Sequence, residues 1–282
     1  MELIDLHVHS SASDGTLSPA AVTALALETG LAAYALTDHD TTDGVREAVE
    51  AAKHTPLEVI PGAELSALYG GCEIHILGLY VNPESRSLRE ALEKLRADRA
   101  RRNDEMLALF QRDGFPIARG DLEQGAPGQV ITRAHFARAL VKKGCVSSME
   151  QAFQRYLDHG KKYCPQKKAF EPQEAVRLIR EAGGFPALAH PVQYKLGRAK
   201  TEAMVQELTE MGLMGIEVYY SSHTRNDSLR LKELCLRYGL LPTGGSDFHG
   251  GNKPDIRIGT GRGGLRVSAL LLEDIRKSVG RL

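Results

Sequence analysis

The sequence predicts an α/β chain in which a mainly parallel sheet closes into a seven-stranded barrel carrying a small helical insertion. Three observations lead there. Short apolar runs alternate with helix-like segments along most of the 282 residues, the pattern of successive βα units. Seven such runs are enough to close a barrel. Six of the seven place His, Asp or Glu at or just beyond their C-terminal end, where barrel enzymes gather their active groups.

The expected strands lie over 3–6, 33–36, 57–61, 73–80, 185–189, 215–219 and 240–243. The first is followed by His7 and His9. In a strand, residues i and i+2 share a face, so these two imidazoles reach one point in space, as ligands of one ion must. The second strand is followed by Thr37-Asp38-His39-Asp40 and the third by Gly62-Ala63-Glu64. The fourth carries His75 near its start, and the fifth leads into His190-Pro191. The sixth is followed by Tyr220-Ser221-Ser222-His223, and the seventh by Gly244-Gly245-Ser246-Asp247-Phe248-His249.

Helices are expected over 19–29, 42–53, 172–182, 202–211 and 227–238. Ser18 serves the first as N-cap, with Pro19 at the first helical position. The alternation breaks over 87–170, which turns helical, basic and loop-rich. A long helix over 88–111 carries Arg96, Arg99, Arg101 and Arg102 and stops at Asp113-Gly114-Phe115-Pro116. Shorter helices follow over 132–143 and 148–157, then a basic loop of Lys161, Lys162, Lys167 and Lys168 around Cys164-Pro165. The expected organisation is a barrel made of 1–86 and 171–282, with 87–170 inserted as a cap on its active face.

The formal net charge is zero. No global field draws this chain to nucleic acid, so an anionic ligand must be held by a local cluster, and duplex DNA is not an expected partner. No run of about 18 apolar residues is present, so no membrane span is expected. Cys72, Cys145, Cys164 and Cys235 are scattered without paired spacing. They read as reduced thiols, and with no basic-then-apolar leader the expected compartment is the cytoplasm.

The candidate metal ligands are His7, His9, Asp14, His39, Glu64, His75, His190, Asp247 and His249. They take six of the ten histidines. Taken singly, each has an ordinary explanation: a hydrogen-bonded strand-end histidine, a turn residue for Asp14, a surface carboxylate for Glu64, an N-cap for Asp247. Together they mix imidazole nitrogens with carboxylates able to bridge cations, a donor set that zinc, iron and manganese all tolerate. Nine ligands exceed one ion; at roughly three to four per ion they suit two or three.

These motifs, in order, are His7-Val8-His9 with Asp14-Gly15, Thr37-Asp38-His39-Asp40, Glu64, His75, Ala189-His190-Pro191 and Gly245-Ser246-Asp247-Phe248-His249. The set resembles the PHP (polymerase and histidinol phosphatase) family across residues 3–249. The resemblance implies a distorted seven-stranded β/α barrel holding three divalent ions. On the donor set, manganese is the expected metal, with iron or zinc the alternatives. The resemblance further implies that His7, His9, Glu64 and Asp247 hold the first ion. Glu64 would bridge to a second ion held by His75 and His190, and Asp14, His39 and His249 would hold the third. The basic insert is similar to that of the branch containing nucleoside 3′,5′-bisphosphate phosphatases and ribonuclease AM-like 5′→3′ exoribonucleases. Histidinol phosphatases of the family carry different insertions, and its polymerase-linked members are parts of much larger chains.

The expected activity is hydrolysis of the 3′-phosphate of a nucleoside 3′,5′-bisphosphate by a metal-bound hydroxide. Metal coordination lowers the pKa of water from 15.7 toward ~7, and the ions offset the charge that develops on phosphorus oxygens. The alternatives are a 5′→3′ exoribonuclease acting on short RNA, a histidinol phosphatase, and a non-catalytic metal-stabilised nucleotide-binding scaffold. His223 is the expected catalytic acid. Expected substrate contacts are Arg99 and Arg102, which share a helix face, Arg133 and His135 at a helix start, and Ser222 and Arg225 beside His223. No protein nucleophile is needed, so Ser10, Ser11 and Ser246 read as turn hydroxyls, and His54 and His159 are given no role. Asp5, Asp38 and Asp40 are expected to orient ligand imidazoles. For base stacking the sequence offers Tyr156, Tyr163, Phe170, Tyr194, Tyr219 and Tyr220.

Overall fold

The computed structural model describes residues 2–123, 130–158, 160–165 and 168–281. His159 and Lys167 therefore lie outside the described residues. Seven strands form one sheet in chain order: β1 (Ile4–Val8), β2 (Ala33–Leu36), β3 (Glu58–Tyr69), β4 (Cys72–Leu79), β5 (Phe185–Leu188), β6 (Gly215–Tyr220) and β7 (Leu241–Gly245). The pairs β1–β2, β2–β3, β5–β6 and β6–β7 are parallel. Past the end of β7 the chain meets β1, where Asp247 N–H donates to the His7 carbonyl (2.8 Å) and His9 N–H to the Phe248 carbonyl (2.9 Å). The result is a nearly closed barrel.

Its distortion lies in β4, which runs antiparallel to both neighbours. The expected third strand, 57–61, covers only the part of β3 that pairs with β2. The strand continues to Tyr69 and turns through Gly70-Gly71 into β4. Both glycines have positive φ, 54° and 82°, as a two-residue hairpin turn matching strand twist requires. Glu64 and Ser66 interrupt the apolar run and hide this extension; they are nevertheless buried, beside Leu65 and Ala67. The reversal explains His75. A residue near the start of an antiparallel strand lies at the same barrel end as residues that close the parallel ones.

The helices are α1 (Pro19–Glu28), α2 (Val45–Ala51), α3 (Arg86–Arg112), α4 (Arg119–Leu122), α5 (Arg133–Lys142), α6 (Met149–Ala152), α7 (Pro172–Glu181), α8 (Arg198–Glu210), α9 (Arg225–Tyr238) and α10 (Leu271–Ser278). Ser18 caps α1 by accepting from Ala21 N–H at 3.2 Å. Thr224 and Asp227 form a reciprocal capping pair that starts α9 earlier than expected. The apolar positions Leu272 and Ile275 seat α10, which the sequence reading did not foresee, against Ile4, Leu6, Ala33 and Phe185. On another side of the sheet, Leu65, Ile74, Ile76, Leu188, Ile216 and Val218 pack against α7, α8 and α9. Among the described residues, no helix is long and apolar enough to cross a membrane.

The segment between β4 and β5 has an apolar cluster of its own, built on Met106, Phe110, Phe136, Leu140, Leu157 and Tyr163. Its long helix is shared. Leu88, Leu92 and Leu95 of α3 pack into the barrel cluster, and Met106, Leu107 and Phe110 pack into the cap. The change from one cluster to the other thus falls inside α3, beyond Leu95, and not at residue 87. After α6 the chain makes a single π turn, Phe153–Leu157, in which Asp158 N–H reaches the Phe153 carbonyl at 2.9 Å.

The approach of β7 to β1 sets a testable limit. A Cβ on Gly245 would stand 2.4 Å from both the amide nitrogen and Cβ of His7. Gly245→Ala is therefore expected to lower stability by about 1–3 kcal/mol, read as a lower urea midpoint at unchanged slope. An unchanged midpoint would show that the two strands are not held this closely.

Candidate metal centre

All nine candidate ligands come together at the barrel mouth. Glu64, in the part of β3 beyond β2, is their hub. Its Oε2 lies 3.3 Å from His7 Nε2, 3.3 Å from His9 Nε2 and 3.0 Å from His39 Nδ1. Its Oε1 lies 2.8 Å from His75 Nδ1 and 3.0 Å from His190 Nε2. Asp247 Oδ1 stands 3.4 Å from His9 Nε2 and 3.3 Å from His249 Nδ1. Asp14 Oδ1 is 3.2 Å from His249 Nε2, and its Oδ2 is 3.8 Å from His39 Nε2. Four groups bring ligand atoms within 4.8 Å of one another: His9, Asp14, His39 and His249; His7, Glu64 and His190; His7, His9 and Asp247; and His39, Glu64 and His75. His9 stands between two of these groups, whereas the resemblance places it with the first ion alone.

The cluster is not satisfied by its own hydrogen bonds. His7 Nε2, both ring nitrogens of His9 and Glu64 Oε2 are buried without a hydrogen-bond partner. Each such group costs about 1–3 kcal/mol, and a buried concentration of them calls for an explanation. Their protonation states supply one. Burial and the nearby His249 push His9 well below the usual histidine range, so the ring is neutral and one of its nitrogens offers a lone pair. Burial opposes ionisation of Glu64, Asp14 and Asp247, yet the surrounding imidazoles, joined by Lys253 at Asp247, hold all three carboxyls well below the usual carboxylate range. Against their burial, the surrounding carboxylates draw protons onto His7 and His75, raising the first well above the usual histidine range and the second to about 9. With cations in place of those protons, imidazole nitrogens and ionised oxygens turned on common points are the donor set of divalent cations. The residues present fit such ions.

Glu217 and Lys253, which the sequence did not single out, and Tyr220, which it offered for stacking, aim these ligands. Glu217, buried on β6, accepts from His7 Nδ1 at 2.9 Å and from the His190 backbone N–H at 2.8 Å. It turns His7 Nε2 toward the cluster and positions a second ligand at once. Tyr220 O–H donates to Asp247 Oδ2 at 2.7 Å, and Lys253 Nζ approaches the same oxygen at 2.5 Å. Asp247 therefore turns Oδ1 alone to the imidazoles. The signal for Glu217 was present: a glutamate inside the apolar run Gly-Ile-Glu-Val-Tyr-Tyr is a charge in a central strand. Lys253 carried no local signal.

The expectation that Asp5, Asp38 and Asp40 orient imidazoles is corrected. Asp5 accepts from the backbone N–H groups of Ser246 (2.8 Å) and Gly259 (2.7 Å). Asp38 holds the N–H and hydroxyl of Ser10 and the hydroxyl of Ser13. Asp40 takes Ser66 and the guanidinium of Arg99. All three point at loop amides, hydroxyls or Arg99 and brace the ligand-bearing backbone. That backbone is strained, for His190, Asp247 and Asp40 have φ of 27°, 59° and 51°, conformations costing of order 1–3 kcal/mol each.

Over the ligands opens a cleft of about 360 Å³ between barrel and cap. Asp14, His39, His75 and His249 line the barrel side; Arg99, Arg102 and Arg133 line the cap side, with Lys253 at the rim. Burial, and then the charges of Arg102 and Arg133, pull Arg99 down to about 9. It stays charged at neutral pH, paired with Asp40. Thr132 ties the cap to the cluster by donating its hydroxyl to Asp14 Oδ2 at 3.0 Å. The remaining expected contacts lie elsewhere. His135 is fully buried below the cleft, where its Nδ1 accepts from Thr132 N–H. Ser222 and Arg225 are exposed and outside the lining. His223 is also outside it, with Nδ1 donating to the Val218 carbonyl (3.0 Å) and its ring 5.1 Å from that of Tyr220.

Sequence comparison agrees with this geometry. The PHP domain signature matches residues 5–175, a span holding six of the nine ligand candidates. The chain belongs to the PHP domain family. The three remaining candidates, His190, Asp247 and His249, lie beyond the matched span and reach the PHP cluster through β5 and β7. A Chromobacterium violaceum protein named 3′,5′-nucleoside bisphosphate phosphatase is 36% identical over 250 residues, 88% of each chain. A Haemophilus influenzae 5′-3′ exoribonuclease is 36% identical over 245 residues, 87% of this chain and 89% of that one. A solved structure from Bifidobacterium adolescentis, held to be a metal-dependent phosphoesterase, superposes with a TM-score of 0.88 at 28% identity, covering 98% of this chain and 96% of the other.

The double contact of Glu217 makes it a sensitive place to perturb the PHP centre without touching a ligand. Glu217→Gln is expected to weaken divalent-cation binding about 10- to 100-fold while the protein stays folded. Metal titration by calorimetry, alongside circular dichroism, checks this; unaltered affinity would exclude the orienting role.

Proposed function

We propose that this PHP protein is a metal-dependent phosphomonoesterase that removes the 3′-phosphate of nucleoside 3′,5′-bisphosphates. One observation carries the reading: a single cleft sets cation-binding groups on one wall against three guanidiniums on the other. A substrate with two phosphates matches that division, and the name of the C. violaceum relative supports it.

In this reading His7, His9, Asp14, His39, Glu64, His75, His190, Asp247 and His249 hold two or three divalent ions, manganese by preference. Such ions supply charge neutralisation at phosphoryl oxygens and acidify water. Glu64 offers its two oxygens to different imidazole sets and so suits a bridging position. Tyr220 and Lys253 keep Asp247 turned to the cluster by one oxygen. Arg99 and Arg102 receive the second phosphate, for which planar guanidinium forks are well matched. Asp40 holds Arg99 in place, and Thr132 keeps the cap in register with Asp14. His223 stands behind Tyr220 and braces it; Ser222 and Arg225 receive no substrate contact.

The H. influenzae relative, named as a 5′-3′ exoribonuclease, favours a second reading in which the same centre releases nucleotides from the 5′ end of short RNA. Product analysis separates the two: inorganic phosphate marks the phosphatase, mononucleotides the nuclease. Turnover of histidinol phosphate at a comparable rate, or no phosphoester turnover by the metal-loaded protein, would overturn the first reading.

Chelation is expected to abolish phosphate release from a nucleoside 3′,5′-bisphosphate, and added Mn²⁺ to restore it. Asp247→Asn and His190→Ala should each lower kcat/KM by at least about 10³-fold, on the scale of losing charge stabilisation in the transition state. Arg102→Met should raise KM for the bisphosphate about 10- to 100-fold, the loss of a charged hydrogen bond, with a much smaller effect on a nucleoside 3′-monophosphate. Equal effects on both substrates would place the second phosphate elsewhere.

A further inference from the structure

The cleft has an apolar side. Its lining includes Met149 and Phe153, both half-buried, beside Ala134. The other aromatic rings of the cap, Phe110, Phe115, Phe136, Tyr156 and Tyr163, pack on one another in its core. Of the rings the sequence offered for stacking, Tyr156 and Tyr163 are therefore occupied, and Phe170 lies in the barrel cluster. Tyr194 hydrogen-bonds His75 N–H and the Ala189 carbonyl, and Tyr220 holds Asp247. Phe153 was not among them, yet among the described residues it is the one phenyl or phenol ring lining the cleft.

Two further features single it out. Phe153 opens the π turn, a departure from helix geometry that recurs at functional sites. The Arg133 guanidinium carbon stands over its ring, 6.0 Å from the centroid. That is too far for direct stacking. A flat ring held between two faces needs about 3.5 Å to each, about 7 Å in all. Arg133 is held by long contacts, 3.4 Å to Glu73 Oε2 and 3.4 Å to the Leu157 carbonyl. An outward shift of roughly 1 Å by its side chain that exchanges them for the ring opens that space.

We propose that Phe153 and Arg133 form the two faces of a nucleobase slot, with Met149 beside it. The inference rests on the reading above that the cleft takes a nucleotide, and it deepens that reading. The base, more than the sugar or the second phosphate, makes the ligand a nucleotide instead of a sugar bisphosphate. Stacking on a phenyl face under a guanidinium tolerates any base, because every base has a π face. The slot thus selects for the presence of a base with little choice among bases.

The test compares metal-loaded wild type, Phe153→Ala and Phe153→Leu on a nucleoside 3′,5′-bisphosphate and on the base-free 1-O-methylribose 3,5-bisphosphate. The leucine variant keeps apolar packing against the cap and loses only the flat face. Wild type should prefer the nucleotide in kcat/KM, and both variants should shrink that preference about 5- to 100-fold, as for loss of one stacked base. A second readout needs no turnover. The chain contains no Trp, so Phe153→Trp introduces a lone indole at the slot. Its fluorescence should be quenched by a nucleoside 5′-monophosphate and not by ribose 5-phosphate. Either an unchanged preference in the variants or an unquenched indole overturns the slot. Failure of wild type to release phosphate from both bisphosphates defeats the functional reading instead, and the quenching then decides the slot alone.

Discussion

The carboxylate of Glu64 lies within 3.3 Å of ring nitrogens on five histidines drawn from four parts of the chain. Two oxygens cannot satisfy five imidazoles by hydrogen bonding, and the leftover lone pairs are sealed from water. This shortage constrains the whole mouth of the barrel. It keeps the carboxyls ionised against their burial and His9 neutral. It also demands rigid backing, since mutually unsatisfied groups would otherwise drift apart. Glu217, Tyr220, Lys253, Asp5, Asp38 and Asp40 supply that backing, each anchoring a ligand or the loop that carries it. Positive cations are the natural resolution of such a site, and the comparisons place the chain in a family whose relatives include phosphoester hydrolases.

Getting five histidines to one carboxylate takes more than a regular β/α barrel. Parallel strands deliver His7, His9, His39, His190, Asp247 and His249 at their exits. The overrunning hairpin of β3 and β4 delivers Glu64 and His75 from the side, through a turn that two positive-φ glycines permit. The strained backbone at His190 and Asp247 completes the convergence. Local strain at these points is tolerated because Glu217 holds the His190 amide and Tyr220 and Lys253 hold the Asp247 carboxylate.

Much of this was legible in the residues. Strand exits ending in His-x-His, Asp-His-Asp, His-Pro and Ser-Asp-Phe-His marked both the barrel and its working end, because ligand chemistry and strand periodicity repeat the same message. The helices α1, α7 and α9 were legible as segments between strand runs, α1 also through Ser18-Pro19. Three things were not legible. The run of β3 past Pro61 was masked by Glu64 and Ser66, since a polar residue in a strand reads as its end unless tertiary contacts bury it. The roles of Asp5, Asp38 and Asp40 were misjudged, because sequence adjacency to a ligand says nothing of which way a side chain turns. Phe153 and Lys253 gave no local pattern at all; the importance of Lys253 comes from the backbone turn that brings it back onto Asp247, six residues earlier, and that of Phe153 from a local irregularity of its helix.

The shared helix α3 bears on how anything reaches the floor of the cleft. Its 27 residues run unbroken, with Leu88, Leu92 and Leu95 locked into one apolar cluster and Met106, Leu107 and Phe110 into the other. For the insertion to swing aside on a hinge, that rod would have to bend or pull three leucines into water. The upper structure is therefore a fixed gatehouse, and the width of its doorway, rather than the timing of a moving lid, sets the size of molecule admitted.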